Sequence, residues 1–216
     1  MASYKGHLTF STALGAAYGG AGFLVLGHGW GAAALAGGLT AVGGLLPDLD
    51  SDSGVPVREM FGLAAAFAPF LLYRRLAADQ RLSPEEIIVV LAALYLFIRY
   101  GLAALFKRLT VHRGMYHSIP AMLIAGLAVF LLYGSPSLKL RLYLAGGVMV
   151  GFLSHLVLDE LYSVDFLGYT VRLNKYAGSA LKFFSPSAGA TLTTYVLLTL
   201  LGYLAYLDWQ RNVTAP

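Results

Sequence analysis

The chain has no cysteine, which excludes disulfides and thiolate ligands and leaves any bound metal to His, Asp or Glu. Charge is scarce as well. Asp, Glu, Lys and Arg make up 12% of the 216 residues, against 58% hydrophobic ones and a mean hydropathy of +0.69. A soluble domain of this length needs a polar shell around one core, and the composition is too apolar to supply one. A concentrated basic patch is missing too: the net charge of +4 and pI near 9.3 come from Lys and Arg scattered between apolar segments. That pattern argues against a nucleic-acid surface and for lipid headgroups and membrane orientation. The opening MASYKGHLTF lacks a short apolar core followed by a cleavage site, so no removable signal peptide is expected.

What the chain does contain is a succession of apolar stretches. Residues 10–46, rich in Gly and Ala, are long enough for two helices joined near His28-Gly29-Trp30-Gly31, and their small residues favour close packing. Others cover 60–73, 85–106, 119–133, 140–162 and 190–207; the second of these opens on Ser83-Pro84-Glu85-Glu86, with Ser83 as N-cap. These seven segments predict a single all-α domain over residues 1–216, a polytopic transmembrane helical bundle. The third and fifth fall short of the roughly 20 residues that cross hydrocarbon, so five or six full spans are the alternative counts.

Seven crossings fix which loops share a face. The N-terminus and the loops at 47–59, 107–118 and 163–188 fall together. That face carries eight Lys or Arg outside the helices against six on the other, a narrow excess toward the cytoplasm. His28 falls on the opposite face and reads as a helix-connection residue. Arg99 lies within the fourth segment, where it either pairs with an acid or snorkels to an interface.

The shared face collects the chemistry. It holds His7, Asp48 and Asp50 of LLPDLDSDS, His112 and His117 of HRGMYHS, and His155 and Asp159 of SHLVLDE. His155 and Asp159 are four apart and project from one side of a helix, so both can reach one ion. His112 and His117 are five apart, and a turn at Gly114 before Ser118-Ile119-Pro120 lets them converge. Imidazole with carboxylate suits zinc, with manganese or iron as alternatives. Seven candidate ligands exceed one four-coordinate site, so two ions sharing an aspartate is the natural extension. Arg113 either clamps a phosphoryl oxygen or contacts lipid headgroups. Asp52 is a second-layer or solvated turn residue. Asp165, Arg172, Lys175 and Lys182 either border a cleft or form an interfacial amphipathic segment.

The early His7, GLLPDLDS at 44–51, HRG through HS at 112–118 and GFLSHLVLD at 151–159 occur in an order that resembles the LexA-binding, inner-membrane-associated hydrolases, also called membrane-bound metal-dependent hydrolases. The resemblance spans most of the chain and departs from the usual pattern at Met115-Tyr116. It implies an all-helical, metal-assisted phosphoesterase of the inner (cytoplasmic) membrane, related to zinc-dependent phospholipase C and single-strand nuclease folds. Metal roles for His7, Asp48, Asp50, His112, His117, His155 and Asp159 follow from it. The chain carries no module for a LexA-type partner or for nucleic acid. The expected activity is hydrolysis of a lipid or lipid-linked phosphoester; a non-enzymatic protein with a metal or polar staple, and a metal or proton transporter, are the alternatives.

Overall fold

The computed structural model of the chain describes residues 3–50, 54–78, 82–102, 104, 115–167, 170–173 and 181–214. Seven α-helices occur among them: α1 (Tyr4–Leu24), α2 (Trp30–Gly43), α3 (Gly54–Ala77), α4 (Pro84–Leu96), α5 (Ile119–Leu132), α6 (Leu138–Leu161) and α7 (Ala188–Thr214). A 3-10 turn over Leu46–Asp50 follows α2, and a π-helical turn over Phe97–Leu102 continues α4.

Local sequence sets the helix ends. Ser83 and Glu86 form a reciprocal cap, the Ser83 hydroxyl accepting from the Glu86 amide at 3.2 Å and the Glu86 carboxylate from the Ser83 amide at 2.7 Å, with Pro84 first in the helix. Ser3, Ser118 and Ser137 cap α1, α5 and α6 from one side only, each hydroxyl accepting from an amide three residues on. Gly27, at φ +68, supplies the left-handed residue that turns the chain from α1 toward α2.

Three expectations from the sequence need revision. The third apolar segment belongs to a 24-residue helix that contains Pro69 and has Arg74 and Arg75 in its last turn. Hydropathy marks the part that suits lipid, whereas a helix needs only its own hydrogen bonds and readily carries charged ends. The fourth segment changes to π geometry at Phe97. The loop at 163–188 contains a β-hairpin, Val164–Leu167 paired antiparallel with Thr170–Leu173, with Asp165 opposite Arg172. Its β-branched residues suit a strand.

Helix α6 is the spine, packed against α1, α2 and α5. Tyr143, Leu144 and Val148 meet Ala36 and Leu39 of α2 and Val129 of α5, while Phe152 and Leu156 meet Met122. Close approach depends on glycine. A Cβ on Gly151 would stand 1.9 Å from the Thr40 carbonyl oxygen and 2.8 Å from the Gly44 amide. Gly151→Ala should therefore push α2 from α6 and cost about 1–3 kcal/mol, read as a lower unfolding midpoint in detergent. A wild-type midpoint would show that the contact gives way freely.

Among the described residues two helices, Leu138–Leu161 and Ala188–Arg211, are long and apolar enough to cross a membrane. They differ in burial: 56% of the apolar stretch of α6 is buried in the protein but only 6% of that of α7. An apolar helix left this exposed is stable in lipid rather than in water. The polar groups of α6 are placed to match. Arg141 near its start and Asp159 near its end are both buried; eighteen residues of helix put them about 27 Å apart, close to the roughly 30 Å of bilayer hydrocarbon.

At the Arg141 end, α3, α5, α6 and α7 meet. Arg75 of α3 donates to Asp208 of α7 at 3.0 Å, and Arg141 pairs with the other oxygen of Asp208. Arg141 also donates to the Phe130 carbonyl at 2.9 and 3.1 Å and lies 3.9 Å from the Phe130 ring centre. His28 is at this end too, stacked on Tyr143 with ring centres 4.3 Å apart.

Candidate metal centre

The Asp159 end of the bundle brings together residues from four distant parts of the chain. His7 comes from the first turn of α1, Asp48 from the 3-10 turn, His117 from the approach to α5, and His155 and Asp159 from the last turns of α6. Helix direction explains the meeting. α1 and α5 start at this end, and α2 and α6 finish here. The 3-10 turn holds Asp48 because Pro47 closes α2's apolar run and its side chain is fully buried. His117 is placed by Ser118, whose hydroxyl donates to the Met115 carbonyl and accepts from the Ala121 amide.

His155 organises the group. Its Nδ1 lies 2.8 Å from the Gly44 carbonyl oxygen. A carbonyl can only accept, so Nδ1 carries the proton, which leaves Nε2 as the nitrogen that can bind a cation. That Nε2 is buried without a hydrogen bond, 3.6 Å from an oxygen of Asp48 and 3.6 Å from an oxygen of Asp159. A ring nitrogen facing two carboxylate oxygens in a buried place is unfavourable unless a proton or a metal cation sits among them. A carbonyl bonded to one ring nitrogen while the other faces acidic oxygens is the arrangement that orients metal-binding histidines.

The other distances agree. His7 Nε2 is 3.2 Å from the second oxygen of Asp159, a contact that needs a proton or a cation between the atoms, and His117 Nε2 is 3.9 Å from the first. Ligands about 2.0–2.2 Å from a tetrahedral ion are themselves about 3.3–3.6 Å apart. The 3.6 Å separations suit an ion's coordination sphere and are long for direct hydrogen bonds. One atom each of His7, Asp48 and His155 lies within 4.8 Å of the others, and so does one each of His117, His155 and Asp159. The His7 and His155 rings are stacked, centres 3.7 Å apart and 12° from parallel, while His117 meets His155 at 63°. This set of three imidazoles and two carboxylates fits a divalent cation. Four of the five side chains are at most 4% or 5% exposed; Asp48, at 20%, opens toward solvent.

Five of the seven residues expected to bind metal are thus together. His112, Arg113 and the side chain of Asp50 lie outside the described residues, as do Asp52 and Lys175. Ser118 forms a parallel bridge with Lys182, whose carbonyl accepts from the Ile119 amide at 3.1 Å. That brings one of the basic residues expected at a cleft beside His117. Arg99, in the π-helical turn, packs against Gly62 of α3. Two features escaped the sequence: the Gly44 carbonyl that orients His155, and the Arg75–Asp208–Arg141 network. An acid within an apolar helix was the available signal for Asp208.

Fold and site together define a helical membrane protein with a buried imidazole–carboxylate centre at one end of its bundle. The chain matches the family of the YdjM inner membrane protein over residues 1–210, and it belongs to that family. No curated protein and no solved structure matches it.

Proposed function

We propose that the chain is a polytopic, metal-dependent hydrolase of the inner membrane that cleaves the phosphoester of a lipid or lipid-linked substrate. The observation that carries this reading is His155 Nε2, a buried ring nitrogen between Asp48 and Asp159 whose opposite nitrogen is tied to Gly44. His7, Asp48, His117, His155 and Asp159 would hold the ion, with zinc first by donor type. A divalent ion in such a site supplies a Lewis acid for a phosphoryl oxygen and makes water a nucleophile near neutral pH. The protein's own part is to hold the rings, keep Asp159 shielded from solvent and leave Asp48 on the accessible side. The placement of the centre at one end of α6 supports a substrate whose headgroup arrives from the interface while its chains stay in hydrocarbon. The resemblance of the motifs to membrane-bound hydrolases supports phosphoester chemistry, and Arg113 is the residue we assign to stabilising charge on the phosphoryl group.

Burial of four of the five donors favours a second reading, a metal that staples α1, α5 and α6 without turnover. Chelation separates the two. The hydrolase reading expects phospholipid hydrolysis to stop on treatment with chelator and to return with zinc or manganese. A drop of several degrees in the unfolding midpoint, with no hydrolysis of any phospholipid before or after, establishes the staple instead.

A further inference from the structure

We infer that the end of the bundle opposite the metal centre holds an anionic phospholipid, one acyl chain in the groove between α5, α6 and α7 and the phosphate at the cationic rim above it. The groove has a volume of about 490 Å³, and its walls include Leu127, Phe130, Leu142, Met149, Leu198 and Trp209. It is almost wholly apolar. On α6 it runs from Leu138 to Met149 and on α7 from Leu198 to Trp209. Eleven residues of helix cover about 16 Å, and half of a roughly 30 Å hydrocarbon core is about 15 Å. The groove is therefore as deep as one leaflet.

Its mouth is marked by groups that favour headgroups. Trp209 and Tyr206 lie side by side, ring centres 6.2 Å apart, and aromatic pairs of this kind settle at the membrane–water interface. Lys139 follows Leu138 at the start of α6, Arg211 lies two residues past Trp209, and both are exposed. Arg75 is 36% exposed beside Asp208. With Arg74 and Arg141, the described residues of α3, α6 and α7 place five cations at this end against the carboxylate of Asp208. Glu85 and Glu86 also lie at this end, but they open α4, which packs mainly on α3, and Glu86 is engaged in its own cap. Asp208 accepts from both Arg75 and Arg141, so the surplus positive charge calls for a second anion. A phosphate at headgroup depth supplies it, and the ring of Phe130, which lines the groove beneath Arg141, joins the charged rim to the apolar floor.

The test uses the full chain, delipidated in a neutral detergent, and measures thermal unfolding with added phosphatidylglycerol or phosphatidylcholine of the same acyl chains. Phosphatidylglycerol should raise the midpoint by about 5 °C or more over phosphatidylcholine. The exposed pair Lys139→Gln/Arg211→Gln should fold normally and lose most of that preference, and Leu127→Trp, which fills the groove, should weaken the response to phosphatidylglycerol. Equal shifts from both lipids in the wild-type protein would overturn the inference. So would full retention of the preference in the double variant, or an equal effect from inorganic phosphate alone. None of these readings depends on metal or hydrolysis.

Discussion

Replacing His155 with alanine is expected to empty the metal centre and to loosen the end of the bundle where α1, α5 and α6 meet. His155 takes part in both groups of close donor atoms, so its loss removes a ligand from either arrangement. Disturbing an outer partner of a metal-binding histidine typically costs about 10–100-fold in affinity; removing the ligand itself should cost at least about 100-fold. Elemental analysis of purified protein should then find little metal in His155→Ala, and equally little in Asp159→Asn, which keeps the side-chain shape but not the charge. His28→Ala is the control, since His28 stacks on Tyr143 at the other end of α6. Stability should fall as well. Asp48 and Asp159 would each lose the His155 ring nitrogen 3.6 Å away, and a buried charge left without its partner costs about 3–5 kcal/mol. Wild-type metal content in both His155→Ala and Asp159→Asn would refute the assignment.

How much of this was legible beforehand depended on how local each feature is. His155 and Asp159 could be paired from the chain alone, because helical periodicity puts residues four apart on one side. His7, Asp48 and His117 could be brought to the same end because the order of apolar segments fixes which helix termini are neighbours. Their distances could not, since ring stacking between His7 and His155 depends on how closely α1 approaches α6. The Gly44 carbonyl has no side chain to announce it; it becomes a partner only because Gly151 lets α6 close on the end of α2. Helix ends were read too short at α3 and α7 for the reason that apolar content stops before hydrogen bonding does. Asp208 passed unnoticed just beyond the last apolar segment, and its partners Arg75 and Arg141 are 133 and 67 positions away, a separation that no periodicity spans.

That network yields the other large effect. Asp208→Leu is expected to destabilise the protein by about 3–5 kcal/mol, because it leaves the Arg141 guanidinium, 2% exposed, with the Phe130 carbonyl and ring but no counter-charge. For a chain of this size that corresponds to a loss of roughly 10 °C in the unfolding midpoint. α7 should be the element released, since little of its apolar stretch is buried and Asp208 ties it to both α3 and α6. Removing both charges should reverse the loss: Arg141→Met with Asp208→Leu substitutes apolar contact for a buried pair, a change that is often neutral or stabilising. A double variant as unstable as Asp208→Leu alone would mean that Arg141 acts through its bonds to Phe130 rather than through its charge. Metal content should stay at the wild-type level in all of these variants, because Arg141 and Asp159 are about 27 Å apart along α6. Combining His155→Ala with Asp208→Leu should then give additive losses to within about 0.5 kcal/mol, and a larger departure would reveal that α6 transmits strain from one polar end of the bundle to the other.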